Sequence, residues 1–328
     1  MPLPTVPGAL FRVVVVNHDW LHGVWVAMPT PWTVDGRIDG GAVRDLLRRY
    51  AAAGLDGAYT TGTDGEMHVL DLPEFKSLVD AFAVAADETG LPVQVGCTWQ
   101  HTDGVIERAR YAREKGIARV QIALPSWVPL SDDEILRYFA AVQTALPDVV
   151  IIHYNIARSG RFLTGTDYRR ILEVAPNLAG SKHTGGDVGS LIEIVQATPE
   201  LAHFVVDSQI VPGALFGAKG FYSFVANLSP AFALGLWRCC MEGRWEEAAR
   251  MGETCAAFFR TWLASCPEIT ASPALAKIAT RAGVFAEMPL AVRAPYRAGD
   301  ASHVAALTQL IAERFPALVS VRNVEEHA

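Results

Sequence analysis

The chain has 328 residues and a formal net charge of −7; 51% of its residues are hydrophobic and 19% are charged. This composition suits a large buried core and excludes a mainly disordered chain. The mild acidity and the absence of any basic run argue against nucleic acid or an anionic membrane as the main partner.

Residues 1–22 are predicted to form an N-terminal extension, because their single apolar run at 13–16 has neither a basic region before it nor a clear cleavage site after it. No apolar stretch approaches the roughly 18 residues of a membrane span. The five cysteines are odd in number and form no C-x-x-C pair, which argues against a disulfide framework or a zinc site. We therefore expect a soluble cytoplasmic protein.

Short apolar runs rich in Val and Ile recur from Gly23 onward, mostly followed by Gly, Pro, Ser or Thr. This pattern is typical of strands that are buried on both faces. The predicted strands are residues 23–28, 57–61, 93–97, 119–124, 149–154, 178–182, 203–207 and 220–225.

Amphipathic helical patterns separate these runs, as at residues 42–53, 73–89, 103–115 and 131–145. The last of these patterns opens on a capping box, Ser131 with Glu134. Eight strand–helix units match the closed (β/α)8 TIM barrel, for which about 250 residues is typical, so we predict an α/β barrel over 23–229. An open doubly wound sheet is the alternative, but no G-x-G-x-x-G follows the first strand.

After the eighth strand the pattern changes to helices without intervening strands. The predicted helices cover residues 230–240, 245–266, 273–282 and 302–314. We therefore expect residues 230–328 to form a C-terminal helical region packed on the barrel.

The active site of such a barrel lies at the carboxyl ends of its strands. Of five lysines, only Lys182 closes a buried strand at that face. Burial disfavours the charged form of a lysine and frees an amine that can attack a ketone. The alternative is a structural lysine paired with a carboxylate.

Two further groups lie at the same end. Tyr154 ends the neighbouring strand, where a phenol can shuttle protons during imine formation and carbon–carbon cleavage; alternatively it is a core tyrosine. Thr63, between Gly62 and Gly65, lies on a tight turn whose N–H groups can face an anion, unless the turn is purely structural. We interpret Glu66, at the end of this turn, as structural.

A metal site is the rival chemistry. Neighbouring residues of a strand point to opposite faces, so if Tyr154 and Lys182 point inward, His153 and His183 point outward. Asp207 alone makes no metal site. We therefore predict that catalysis does not depend on a metal. A metal-dependent aldolase would lose activity with a chelator.

Taken together, these motifs resemble the dihydrodipicolinate synthase / N-acetylneuraminate lyase family of class I, Schiff-base pyruvate aldolases. The resemblance runs from about Gly23 into the C-terminal helices. It rests on four features in order: Gly62-Thr63-Asp64-Gly65-Glu66, similar to G-[TS]-T-G-E; Tyr154-Asn155; Lys182; and the glycine-led strand Gly220-Phe221-Tyr222-Ser223.

The resemblance implies a barrel that is often a homotetramer, with no metal or organic cofactor. Lys182 would form the imine with pyruvate or another 2-oxo acid, the partner substrate being an aldehyde, and Tyr154 would transfer protons. Thr63 and the turn amides would hold the carboxylate. The expected substrate-binding residues are Gly62, Asp64, Trp127, Arg158 and Ser223.

The departures from the family bear on the substrate. Asp64 replaces a second hydroxyl and would repel a carboxylate, and Ser126-Trp127 replaces the tyrosine pair of the synthases. Met28-Pro29-Thr30-Pro31 and Trp127 are similar to the hydratase-aldolase branch, which cleaves aryl-substituted pyruvates, although Asp207-Ser208 stands where that branch has a histidine. We favour a retro-aldol lyase. The alternatives are a dihydrodipicolinate synthase-type condensation, a 2-oxo-3-deoxy sugar acid dehydratase and a catalytically silent barrel that binds a small acid.

Overall fold

A computed structural model describes residues 20–319 of the chain. In this part of the chain, eight parallel strands close into a barrel in sequence order, each pairing with the next and the eighth with the first. The predicted (β/α)8 TIM barrel is therefore confirmed.

The eight strands are β1 Gly23–Ala27, β2 Gly57–Thr60, β3 Val93–Gly96, β4 Arg119–Ile122, β5 Val150–Ile156, β6 Leu178–Thr184, β7 Ala202–Val206 and β8 Gly220–Ser223. The barrel helices are α1 Gly40–Ala52, α2 Leu72–Thr89, α3 Thr102–Glu114, α4 Asp132–Ala145, α5 Gly165–Val174, α6 Val188–Ala197 and α7 Ile210–Leu215. The helices after β8 are α8 Pro230–Met241, α9 Trp245–Ser265, α10 Ser272–Ala282 and α11 Ala301–Arg314. The strands predicted from the apolar runs agree with these bounds to within two residues at each end.

Local signals fix where the helices begin. The capping box of Ser131 and Glu134 is present at the start of α4, where each residue satisfies a backbone N–H of the other. A second box, Asp71 with Glu74, starts α2. These side chains satisfy N–H groups that the first helical turn leaves unpaired, so the βα loops end at defined residues.

The barrel interior is aromatic. Trp25, Tyr59, Phe204 and Tyr222 form one buried cluster inside the strands, and the Tyr59 and Tyr222 rings meet edge to face with centroids 5.2 Å apart. Leu21 belongs to the same cluster. Residues 20–22 of the predicted N-terminal extension thus belong to the described part of the chain and its first 19 residues lie outside it.

The helices α8–α11 follow β8 without another strand among the described residues. The last nine residues of the predicted C-terminal region lie outside the described part. Across residues 20–319, none of the helices combines the length and the apolar character that spanning a membrane requires.

A buried ion pair joins these C-terminal helices to the barrel. Glu66 has a left-handed backbone (φ 58°) and is 1% exposed, and its carboxylate accepts hydrogen bonds from Lys277 of α10 and from Trp32 Nε1 at 2.9 Å. Its second oxygen accepts the Arg293 backbone N–H at 3.0 Å. Lys277 is 0% exposed and also donates to the Ala291 carbonyl. One carboxylate therefore fixes the turn after β2 against α10 and the segment that follows it.

Removing the cation of this pair tests its importance. Lys277→Ala leaves the Glu66 charge buried without a counter-ion, so we expect the free energy of unfolding to fall by about 3–5 kcal/mol in urea denaturation. The control is Lys115→Ala, which breaks a largely exposed pair with Asp80 and should change stability by less than about 1 kcal/mol. Equal effects of the two substitutions would contradict this reading of the pair.

Candidate active site

Lys182 and Tyr154 lie side by side at the carboxyl ends of β6 and β5. The two residues are paired in the strand register, and Lys182 Nζ lies 4.2 Å from the centre of the Tyr154 ring. Both side chains line a cavity of about 180 Å³ at this end of the barrel, and Lys182 is 5% exposed. The lysine amine is therefore buried but open to a small ligand.

Thr63 faces the same cavity from the turn after β2. Its hydroxyl lies 3.4 Å from the Tyr154 hydroxyl. The turn is closed by two backbone hydrogen bonds, Glu66 N–H to the Thr63 carbonyl and Met67 N–H to the Gly62 carbonyl, both 3.1 Å. The three predicted catalytic residues are thus brought together.

Asp64 also lines this cavity, although it carries a charge of the wrong sign for a carboxylate ligand. Its side chain accepts a hydrogen bond from the hydroxyl of Ser272, the first residue of α10. Burial raises the pKa of Asp64, while the Ser272 hydrogen bond and the charges of Lys182 and Arg158 oppose the rise. Protonation of Asp64 is therefore easier than that of an exposed aspartate.

A second cavity of about 390 Å³ adjoins the first and shares Thr63, Tyr154, Arg158 and Ser272 with it. Its further walls are mixed: apolar and aromatic side chains such as Met67, Leu124, Ile156, Pro273 and Tyr296 alternate with polar ones such as Thr98, Gln100 and Ser159. Arg158, a predicted substrate-binding residue, is exposed and contributes the positive charge at the boundary. The site therefore has a narrow inner part at the lysine and a wider outer part.

Trp127, predicted to bind substrate, lies elsewhere. Its side chain is 90% exposed and lines a separate groove of about 960 Å³ with His101 and Arg137. Ala123, Leu124 and Ser126 of the segment after β4 line the outer cavity, but Trp127 does not. The structure therefore does not bring Trp127 together with Lys182.

Ser223 also misses the cavity. Its hydroxyl donates to Asp207 at 2.8 Å and accepts the Ala226 backbone N–H at 2.9 Å. The reason is strand alternation: Tyr222, its neighbour, faces the cavity, so Ser223 faces away. Gly62 has a steric role, because a Cβ at this position would overlap the hydroxyl of Tyr59.

The histidines point outward, as the alternation predicts. His153 Nδ1 lies 2.8 Å from the Tyr168 hydroxyl of α5, and burial lowers the pKa of His153 to about 3. His183 Nδ1 lies 3.3 Å from the side-chain nitrogen of Asn155. Within residues 20–319 no three His, Cys, Asp or Glu side chains are grouped in a way that would hold a metal ion.

Sequence reasoning missed three residues of the site. Tyr59 of β2 accepts a hydrogen bond from Lys182 Nζ at 3.1 Å, and the Tyr222 ring of β8 lies 5.0 Å from the same atom. Strand alternation, applied to β2 and β8 as it was to β5 and β6, would have indicated both tyrosines. Ser272 comes from α10, far along the chain, and nothing in its local sequence indicates it.

An eight-stranded parallel barrel with a lysine, a tyrosine and a threonine hydroxyl converging at its carboxyl face is the architecture of class I aldolase-type lyases. The sequence comparisons agree. The model of the dihydrodipicolinate synthetase family matches residues 20–313, and the chain therefore belongs to that family, whose members are lyases.

Individual relatives give the same result. An uncharacterised DapA-like lyase of Halobacterium salinarum is 30% identical over 231 residues, which is 70% of this chain and 75% of that protein. The 4-hydroxy-tetrahydrodipicolinate synthase of Methylacidiphilum fumariolicum is 26% identical and superposes with a TM-score of 0.81 over 92% of this chain and 98% of its own. The sialic acid aldolase of Ruminococcus gnavus, 23% identical, has the same fold, with a TM-score of 0.82 over 92% and 100% of the two chains.

Asp207, directly after β7, lines the inner cavity. Its carboxylate accepts hydrogen bonds from the Ser223 hydroxyl and from the Phe224 backbone N–H at 2.6 Å. Burial nevertheless raises the pKa of Asp207 to about 6 from a reference of 3.8. Between these two values the folded protein binds the proton more readily than the unfolded chain, so this group lowers stability as the pH rises.

Asp207→Asn removes this titration. The free energy of unfolding of the variant minus that of the wild type should increase by about 2–3 kcal/mol as the pH rises from 4 to 7, measured by urea denaturation at each pH. Asp187→Asn is the control that should stay nearly flat over this range, because hydrogen bonds from Ser190 lower the pKa of Asp187 and its titration lies below pH 4. A flat difference for Asp207→Asn across this range would refute the assignment.

Proposed function

We propose that the protein is a class I lyase that holds pyruvate or another 2-oxo acid as an imine of Lys182 and makes or breaks a carbon–carbon bond to an aldehyde. The observation that carries the proposal is the placement of the buried Lys182 amine beside Tyr154 and Thr63 in one cavity. A buried amine with proton-transfer groups beside it suits imine formation.

The carboxylate of the 2-oxo acid binds at the turn after β2. The Thr63 hydroxyl and the backbone N–H groups of the turn are its donors, and Arg158 supplies positive charge from the outer side. Asp64 opposes this binding when it is ionised and assists it as a hydrogen-bond donor when it is protonated.

The chemical steps follow from this placement. The neutral Lys182 amine attacks the ketone carbon of the 2-oxo acid, and Tyr154, which bonds to Thr63, passes a proton to the carbonyl oxygen. Loss of water gives the imine. Breaking the bond between the third and fourth carbons of a longer 2-oxo acid leaves its electron pair in the enamine, and the proton of the 4-hydroxyl goes to Tyr154 as the aldehyde forms. Protonation of the enamine and hydrolysis then release pyruvate and the free lysine.

The aldehyde half occupies the outer cavity. The apolar part of its wall, at Leu124, Ile156 and Pro273, suits a hydrophobic substituent, and about 390 Å³ is within the range of small-molecule sites. Ser126-Trp127 stands in the segment where synthases carry their tyrosine pair, so the tyrosine relay of the synthases is missing and we favour cleavage over the synthase condensation.

The chain is proposed to act as a homo-oligomer, a dimer or a tetramer. The apolar side chains of Trp127 and Val128 are 90% and 66% exposed in the single chain, and large exposed apolar groups are commonly covered by a partner. A solution mass of one chain, 35.5 kDa, in light scattering would refute this part of the proposal.

Borohydride reduction in the presence of pyruvate tests the imine. We expect one reduced pyruvyl group per chain, located on Lys182 by peptide mass analysis, and no adduct on Lys182→Ala. The matched control is Lys219→Ala, which removes an exposed lysine before β8 and should leave trapping unchanged.

The outcomes separate the alternatives. Trapping that persists in Lys182→Ala would contradict the assignment of the nucleophile, and loss of activity in a chelator would favour a metal-dependent aldolase. If no 2-oxo acid gives an adduct with the wild type and a chelator has no effect, a catalytically silent barrel that binds a small acid is favoured.

Asp64→Asn should strengthen pyruvate binding. Because the ionised carboxylate repels the substrate, the KM for pyruvate should fall about tenfold, equivalent to about 1.4 kcal/mol, and the gain should grow as the pH rises and Asp64 ionises. The measurement is KM from the trapping rate at several pH values. Asp187→Asn, in the exposed loop after β6, should change nothing, and a pH-independent gain would argue against repulsion by Asp64.

A further inference from the structure

The Lys182 amine makes a hydrogen bond that has no part in the mechanism proposed above. Its Nζ donates to the Tyr59 hydroxyl at 3.1 Å, across the barrel interior from β6 to β2. The Tyr59 hydroxyl lies next to the substrate-binding turn, since a Cβ on Gly62 would overlap it. The phenol is therefore wedged between the amine and the turn that holds Thr63.

The surroundings hold this phenol in place. Tyr59 is 1% exposed, and its ring packs edge to face on Tyr222 within the aromatic interior. Burial raises the pKa of Tyr59 well above its usual value; the nearby Tyr154, Asp64 and Tyr222 act in the same direction, and a hydrogen bond from the Thr63 backbone opposes them. The group therefore stays a neutral phenol, which accepts a hydrogen bond from the lysine without becoming its counter-ion.

Three rings surround the Lys182 amine, but only one presents oxygen to it. Nζ lies 4.6, 4.2 and 5.0 Å from the ring centres of Tyr59, Tyr154 and Tyr222. The Tyr222 hydroxyl turns away and donates to Gln94 at 2.6 Å, whereas the Tyr154 hydroxyl lies by Thr63 at the cavity. Tyr59 alone among the three fixes the rotation of the amine about its last carbon–nitrogen bond.

We propose that Tyr59 is a positioning residue for the nucleophile, accepting one N–H of Lys182 so that the nitrogen lone pair is directed into the cavity between Tyr154 and Thr63. This inference rests on the proposed imine chemistry. Tyr59 exchanges no proton with the substrate. It acts by reducing the orientations that the amine can adopt before it attacks the ketone.

The test compares two tyrosine-to-phenylalanine variants that keep the rings. Tyr59→Phe removes the hydroxyl to which Lys182 donates. The control, Tyr50→Phe, removes an equally buried hydroxyl that does not line the cavity and donates to Asn227 instead. The rate of pyruvate trapping is measured by borohydride quench over a range of pyruvate concentrations. This gives a maximal rate and a half-saturating concentration for each protein.

For Tyr59→Phe we expect the maximal rate to fall about ten- to a hundredfold, with the half-saturating concentration within about threefold of the wild type, because the lost hydrogen bond orients the amine and does not hold the substrate. Tyr50→Phe should keep both values within about threefold. Thermal unfolding of both variants checks that the barrel is intact.

Two results would overturn the role of Tyr59 while leaving the proposed function standing: an unchanged maximal rate in Tyr59→Phe, or equal losses in the two variants, which would assign the effect to the general loss of a buried hydroxyl. Failure of the wild type itself to trap any 2-oxo acid would instead overturn the proposed function, and the role of Tyr59 with it.

Discussion

The site depends on the burial of one carboxylate, that of Glu66. A buried carboxylate needs a counter-ion and hydrogen-bond donors, and Glu66 has Lys277, Trp32 and the Arg293 backbone around it. Those partners come from three separate parts of the chain. Because Glu66 ends the turn that carries Thr63, the same contacts fix the substrate-binding turn and hold α10, with Ser272 at its start, over the mouth of the barrel.

Much of this architecture was predictable from the sequence because it follows from local patterns. Buried parallel strands read as apolar runs, and the alternation of side chains along them placed Tyr154 and Lys182 inside and His153 and His183 outside. The same rule explains an error. Ser223 was expected to bind substrate, yet its position next to the inward-facing Tyr222 turns it toward Asp207.

Features that depend on distant parts of the chain were not predictable. The sequence offered two readings for a buried lysine, nucleophile or partner of a carboxylate. The structure contains a lysine of the second kind in α10, at a position that the strand pattern does not describe. Ser272 reaches Asp64 only because α10 packs against the barrel, a contact between residues far apart in the sequence. The exposure of Trp127 depends on the course of the segment after β4, which no local sequence pattern predicts.

The two adjoining cavities differ in depth, and this difference has a kinetic consequence. The aromatic side chains that fill the barrel, from Trp25 to Tyr222, close the lysine off from the opposite end, so ligands enter and leave at the carboxyl ends of the strands. In the proposed reaction pyruvate stays covalently bound to Lys182 in the inner cavity, while the aldehyde lies in the outer cavity. The aldehyde must therefore leave first and pyruvate last, and pyruvate should compete with the longer 2-oxo acid for the free enzyme. The filling of the barrel thus sets the order of product release.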